Sequence, residues 1–325
     1  MKAAVVGENG FGVREIEVPK PRPNEVLIRV RACGLNRADI MVAGGMAHGR
    51  ASGPGTTVGI EWSGEVVEVG ADVTSVSPGD RVMCSGSGGW AEYAVADWGR
   101  VVPLPANNMT WAQAATLPIA LHTMHNAAIT AGRLKPGEAV MIQGASSGVG
   151  LMGQQIAKAM GASLVIGSST NPERRSRLTD YGADIAVDSR DEGWVQQVLD
   201  ATGGRGVDLI VDQISGYVAN QNMAATRILG RIVNVGRLGG FSGEFNFDLH
   251  ALRRIDYIGV TFRTRSLEEV RAIVAAMKAD LWDAVEAGDL SLPIDSEFPL
   301  DDAVAAVEHM RANRHFGKIV LNVSA

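Results

Sequence analysis

The run AVMIQGASSGVGLMGQQIAKAMGA, residues 139–162, constrains this chain more than any other stretch: an apolar strand, a loop of small residues and a helix follow one another without a spacer. A helix starting directly from such a loop aims its unpaired N–H groups and the positive end of its dipole at whatever lies above the loop, and small residues let an anion approach the backbone. The pattern then continues. A strand SLVIGSS, a helix over 172–181, a strand DIAVD, a helix over 194–201 and a strand VDLIVD follow, and ILGRIVNVG and DYIGVTF supply two more strands. Strands alternating with helices of about ten residues predict βαβ units and a parallel sheet.

The flanks have another texture. Before Pro105 the chain is cut by Gly and Pro into short strands, MKAAVV, EVLIRVRACG, GIEWSGEVVEVG, DRVMC and WAEYAVA, which predict a compact barrel or sandwich. The tail returns to that style with helices over 267–288 and 300–313 and a closing strand KIVLNV. The βαβ series, residues 120–262, therefore reads as an insertion in a domain built from residues 1–119 and 263–325. No internal repeat or low-complexity tract interrupts this plan.

A glycine loop set inside a βαβ series predicts a dinucleotide site. Its spelling is Gly144-x-x-Ser147-x-x-Gly150 rather than G-x-G-x-x-G, and Gly144, Ser146, Ser147, Gly148 and Val149 are expected to face the pyrophosphate. A carboxylate ending the second strand would bond a ribose 2′-hydroxyl and repel a 2′-phosphate. Here that end reads Gly167, Ser168, Ser169, Thr170, Asn171, with Arg174 and Arg175 close behind. Ser168, Ser169 and Arg174 are expected to hold a 2′-phosphate, which makes NADPH the expected cofactor. The alternative leaves both arginines solvated on a helix face.

Composition narrows the function classes. Thirty Lys and Arg against thirty-six Asp and Glu give a net charge of −6 with no basic stripe, which argues against a nucleic-acid partner. Glycine, 39 of 325 residues, stands well above the usual ~7% and implies many tight turns. Cys33 and Cys84 form no framework, as expected of a reducing compartment, and the opening apolar run, Ala3 to Gly7, is too short for a signal-peptide core. A cytoplasmic location without membrane attachment is expected. The longest span free of charged residues, 101–132, is interrupted by prolines, asparagines and histidines and reads as a buried segment.

The glycine loop, together with GGWAEYAV, LKPGEAVMIQGASSGVG and FGKIVLNV, resembles the medium-chain dehydrogenase/reductase superfamily, in particular its zinc-independent quinone oxidoreductase branch. The resemblance spans essentially the whole chain. It implies an α/β fold with a GroES-like β-barrel catalytic domain split around a Rossmann domain with a doubly wound parallel sheet, and a homodimer paired through the Rossmann edge strand at Tyr257 to Thr261. The family's zinc enzymes carry a ligand Cys in a G-x-C-G-x-D stretch and a ligand His in G-H-E. Here GLNRAD has Asn36 and the triplet Gly59-Ile60-Glu61 has isoleucine, so no metal is expected. His122 and His125, three apart on a predicted helix, read as ordinary helix residues.

Without a metal the hydride acceptor must already be electrophilic, which suits quinones and α,β-unsaturated carbonyls. The resemblance places Asn36 near nicotinamide and substrate, as a donor to the substrate oxygen or the cofactor ribose; a turn-stabilising role is the alternative. It brings Thr123, Thr261 and Phe262 to the nicotinamide, and Arg314 and Lys318 to the cofactor phosphates; the alternatives are a helix hydroxyl bonded to its own backbone for Thr123, core packing for Phe262 and plain surface charges for Arg314 and Lys318. Gly236, Arg237 and Leu238 follow RIVNVG at the carboxyl end of the sheet, where ligands of such folds bind. Tyr93, the only tyrosine of the outer domain, alternates within WAEYAVA and reads as structural. Tyrosines that several relatives carry after the GLNRAD-like stretch are replaced by Met41 and Ala47, and the loop from Gly44 to Gly55, with His48 and Arg50, is a candidate lid. The expected activity is NADPH-dependent reduction of a quinone. Enoyl reduction of an unsaturated carbonyl or thioester is the alternative, and a crystallin-like or sensor protein with little turnover stands outside enzymes.

Overall fold

The computed structural model of the chain describes residues 1–8, 10–46 and 53–324. Ala47, His48 and Arg50, and with them the middle of the candidate lid, lie outside the described residues. The chain divides into two compact units, Met1–Ile119 with Phe262–Ala325, and Ala120–Thr261.

In the first unit, β1 (Lys2–Gly7) and β2 (Gly10–Glu15) form a hairpin. A larger sheet uses β3 (Glu25–Gly34), β4 (Glu61–Val69), β5 (Arg81–Ser85), β6 (Tyr93–Asp97) and β7 (Val101–Pro103). Trp62, Trp90, Ile28 and Val82 are buried at the centre of its core. All five strands legible in the flanking sequence are present. β2 and β7 are additional, as is β14 below: GFGVRE carries two glycines, VVP is three residues long, and IDSEFP alternates through charged residues, so none reads as a strand from pattern alone. Tyr93 lies beside Arg29 across the antiparallel pair of β3 and β6, with the guanidinium 5.8 Å from the ring centroid.

The second unit holds β8 (Ala139–Gln143), β9 (Leu164–Ser168), β10 (Ile185–Val187), β11 (Val207–Asp212), β12 (Thr226–Asn234) and β13 (Asp256–Gly259). They form one parallel sheet in the order β10-β9-β8-β11-β12-β13. β8 is buried along its whole length because helices cover both faces of such a sheet, which is why its sequence is a continuous apolar run. The order reverses between β8 and β11, and that switch point is where open α/β sheets bind ligands.

Two expectations need correction. The helix over 172–181 is two pieces, Pro172–Ser176 and a 3₁₀ turn Leu178–Tyr181, and the break leaves Leu178 fully buried. The edge strand stops at Gly259, so Thr261 and Phe262 follow it rather than end it. The first unit closes with the helix Leu267–Ala287 and with β14 (Ile294–Pro299) and β15 (Lys318–Asn322), which pair in parallel, β15 joining β3. No helix among the described residues is long and apolar enough to cross a membrane.

Candidate active site

Gly144 turns the chain off β8 with φ of +73°, a left-handed conformation that favours glycine, and its N–H donates to Ser168 Oγ at 3.0 Å. Ser147 caps the helix Gly148–Ala159, its Oγ accepting the Gly150 N–H at 3.0 Å. A Cβ on Gly150 would stand 2.6 Å from the carbonyl oxygen of Gly144, so the loop closes on itself through the absence of a side chain. These features fit a dinucleotide pyrophosphate, which needs close backbone approach and free N–H groups at a helix start.

A buried chain of side chains holds the loop from behind. Ser168 Oγ donates to Gln143 Oε1 at 2.6 Å, Gln143 Nε2 to Asn222 Oδ1 at 2.7 Å, and Asn222 Nδ2 to Asp212 Oδ2 at 3.0 Å. Asp212 Oδ1 accepts the N–H groups of Ile214 and Ser215, and Ser215 Oγ donates to the carbonyl of Gly236. Gln213 adds a brace, donating to the carbonyls of Gln143 and Gly144 and meeting Ser147 Oγ. The links run across the carboxyl ends of β9, β8, β11 and β12. Burial raises the Asp212 carboxyl above its ordinary pKa.

Not every expected ligand faces outward. Ser168 is buried, and its hydroxyl is spent on the loop and on Gln143. Ser169 Oγ donates to Ser146 Oγ at 3.0 Å, which brings those two together at the mouth of the loop. Arg175 Nη1 donates to the Ser169 carbonyl and to Asp188 Oδ2, both at 2.8 Å, so this guanidinium is an internal tie. Arg174 gives its backbone N–H to the capping Asn171 side chain. Val149 and Thr123 are half-buried, Gly236 leaves no space for a side chain beside Gln213, Arg237 reaches the Val235 carbonyl, and Leu238 is exposed.

In the first unit Asn36 precedes the helix Arg37–Ala43, and its N–H donates to Asp39 Oδ2 at 2.8 Å. Its side chain is buried: Nδ2 donates to Glu61 Oε1 at 2.8 Å, and Oδ1 accepts from Lys318 Nζ at 3.0 Å. Lys318, only 3% exposed, also donates to the Leu35 carbonyl at 2.9 Å and to Glu61 Oε1. Glu61 Oε2 accepts the Ile119 N–H at 2.9 Å. Lys318 therefore departs from the expected phosphate ligand: its three ammonium donors meet three buried oxygens, whereas Arg314 is exposed. Burial pushes the Asp39 carboxyl up to about 7. Sequence reasoning passed over Asp39, Glu61 as the partner of Lys318, and Asn222; the G-x-E triplet was the one available signal for Glu61.

Residues 148–279 match the family described as zinc-binding dehydrogenase, and residues 22–106 match the alcohol dehydrogenase GroES-like domain. The human protein named quinone oxidoreductase is 30% identical over 310 residues, covering 94% of this chain and 92% of that one. Erythronolide synthase of Saccharopolyspora erythraea is 32% identical over 319 residues, which is 96% of this chain and 8% of that protein. A mycobacterial protein solved in complex with NADPH superposes with a TM-score of 0.87 at 25% identity, over 99% of this chain and 100% of that one.

Removing one partner of a buried ion pair strands the other charge, so Lys318→Met is expected to destabilise the protein by about 3–5 kcal/mol in urea unfolding, and Lys318→Met with Glu61→Gln to recover more than half of that loss. Asp39 gives a pH signature of defined sign. Its folded pKa of about 7 lies above the ordinary carboxylate value, so between pH 4 and 7 the native state holds a proton that the unfolded state has released. Stability from this group falls by about 1.4 kcal/mol per pH unit across that window and is level above it. Asp39→Asn is expected to remove that slope, giving a variant more stable than the parent at pH 8 and little different at pH 4; parallel unfolding curves at every pH would refute it.

Proposed function

The chain belongs to the zinc-independent quinone oxidoreductase branch of the medium-chain dehydrogenase/reductase superfamily, and from that membership we propose that it oxidises NADPH and delivers the hydride to a quinone. The observation that carries this reading is the set of side chains at positions 36, 60 and 61. Ile60 offers no lone pair, and the carboxylate of Glu61 is neutralised by the ammonium of Lys318, so the donor set is built around a fixed internal cation. An acceptor reduced by this protein must be electrophilic without Lewis-acid help, and a quinone is: its oxygens take the negative charge, and water protonates the hydroquinone.

When bound, NADPH supplies the hydride from its dihydronicotinamide ring. The chain's part is to hold and orient. The backbone of Ser146, Ser147, Gly148 and Val149 receives the pyrophosphate, Ser169 and Arg174 face the 2′-phosphate, and Thr123, Gly236, Arg237, Leu238, Thr261 and Phe262 surround the nicotinamide half. Asn36 spends one amide N–H on Glu61, and the second hydrogen on the same nitrogen is the donor we assign to the acceptor's oxygen. The match to a segment of erythronolide synthase supports a second reading, reduction of a carbon–carbon double bond conjugated to a carbonyl, which differs in requiring a proton on carbon.

The test is the loss of reduced-nicotinamide absorbance against a panel of ortho-quinones, enals, enones and acyl thioesters. Turnover is expected with NADPH and ortho-quinones and to be at least tenfold slower with crotonyl thioesters; the reverse order would replace the quinone with the enoyl substrate, and oxidation of simple secondary alcohols with NADP would overturn the metal-free assignment.

We also propose a homodimer formed along β13. It ends the sheet order, and the preceding helix Phe247–Arg253 leaves Phe247 77% and Leu252 68% exposed beside it. Light scattering is expected to give the mass of two 34.3 kDa chains, and a single-chain mass would refute the pairing.

A further inference from the structure

The amino edge of the parallel sheet, opposite the edge that carries the glycine loop, holds an apolar tip. β11 and β12 pair Val207 with Thr226 and Leu209 with Arg231, so residues 227–230 bulge out of the ladder against the single residue Asp208. Ile228 and Leu229 form the end of this excursion and keep 52% and 56% of their surface open. The turn beneath them is closed: a Cβ on Gly230 would stand 2.4 Å from Thr226 Cγ2 and 2.9 Å from the Arg227 carbonyl oxygen. Leu229 takes φ of +61°, the left-handed region that a leucine disfavours, and its side chain is too exposed for burial to offset that strain.

Cations flank the tip strand by strand. In the order β8-β11-β12-β13, Lys135 precedes β8, Arg205 precedes β11, the tip opens β12 and Arg254 precedes β13. At about 4.8 Å per strand, these positions span roughly 15 Å of one edge. All three cations are exposed, and their side chains make no hydrogen bond or ion pair among the described residues. The carboxylates beside them are already engaged: Glu138 receives Arg231, Asp208 receives Arg227 and Asp256 receives Arg133. Asp200, exposed at the end of the helix Trp194–Ala201, accepts from the Gln196 amide and stands alone against the three cations. A chain of net charge −6 thus presents a local cationic row around two exposed aliphatic side chains.

We infer that this edge rests on an anionic lipid surface, with Ile228 and Leu229 entering the boundary between headgroups and acyl chains and Lys135, Arg205 and Arg254 lying over the phosphates. Charge and size select lipid over a protein partner. Three cations in one row with the tip meet a plane of anionic headgroups together. Five side chains fall far short of the roughly 20–30 residues a side of a stable protein interface, and a tip projecting from a tight turn needs no matching groove in a bilayer boundary. Apolar insertion and basic attraction are the two signals that surface attachment takes. The contact is peripheral and requires no spanning helix, so it departs from the sequence-based expectation of no membrane attachment while agreeing with the lack of such a helix among the described residues. It is independent of the cofactor and of the acceptor.

The test is co-sedimentation of the full chain with vesicles of phosphatidylcholine alone and of phosphatidylcholine mixed equally with phosphatidylglycerol, at low and at physiological salt. The parent is expected to bind the mixed vesicles at least about twentyfold more tightly than the neutral ones, a preference that shrinks as salt is raised. Arg205→Gln with Arg254→Gln is expected to remove most of that preference, about fivefold for each lost charge. Leu229→Gly suits the backbone of the tip, so its thermal midpoint is expected to stay level or rise while affinity for the mixed vesicles falls by about fivefold or more. Absence of parent binding to the mixed vesicles at low salt overturns the proposal, as does binding that survives all three substitutions. A light-scattering mass that drops in Leu229→Gly, without vesicle binding by the parent, assigns the tip to a second copy of the chain. Tighter capture of a short RNA than of the mixed vesicles, unchanged in Leu229→Gly, assigns the row to nucleic acid, and either result refutes the lipid surface.

Discussion

The second unit depends on one constraint: a loop with its backbone open to a ligand must still have every buried polar group behind it satisfied. The chain from Ser168 through Gln143 and Asn222 to Asp212 meets that requirement across four strand ends. Breaking one link strands a buried donor or acceptor at a cost of about 1–3 kcal/mol, a sizeable fraction of a typical domain's 5–15 kcal/mol. A half-made network is therefore disfavoured, and the Gly144 turn is held in one shape before any ligand arrives. Preorganisation of this kind lets N–H groups act on an anion without first being ordered.

The first unit solves a different problem with the same physics. Glu61 is fully buried, and a buried carboxylate needs a compensating cation. Lys318, 257 residues away in sequence, brings it from the closing strand, and Asn36 completes the ammonium's coordination with an amide oxygen. That ammonium is a fixed charge with three hydrogen bonds and no open position. It can balance Glu61 and hold Asn36 in place, but it cannot exchange a bond for a substrate oxygen without stranding one of its own partners. The amide nitrogen of Asn36 is thus the more available polar atom of the group.

Local pattern carried most of the architecture. The period-two strands of the first unit and the apolar β8, β9 and β11 of the second were legible because burial on one face or both leaves a direct mark on residue order. Two kinds of feature escaped. Short or charged strands such as β14 are held by their neighbours rather than by their own propensity. The roles of individual charges depended on distant partners: Lys318 looked like a surface cation because nothing in FGKIVLNV announces Glu61, and Arg175 looked equivalent to Arg174 because nothing in PERRS announces Asp188. The helix Ala219–Ala225 was missed for a related reason, since its Asn and Gln residues read as loop while Asn222 is fully buried as the central link of the polar chain.

The fates of these charges bear directly on chemistry. A guanidinium or ammonium already paired inside the fold contributes rigidity, and only an unpaired one can add differential affinity for an anion. By that criterion Lys318 and Arg175 belong to the scaffold, and recognition falls to backbone N–H groups, hydroxyls and the few cations left exposed. The same reasoning applies to the acceptor. Under the proposed function, the buried Lys318 ammonium, locked to Glu61, would give little extra stabilisation to an oxyanion near Asn36, which favours an acceptor whose product charge is delocalised by the substrate itself. A quinone ring meets that condition, and a simple ketone does not.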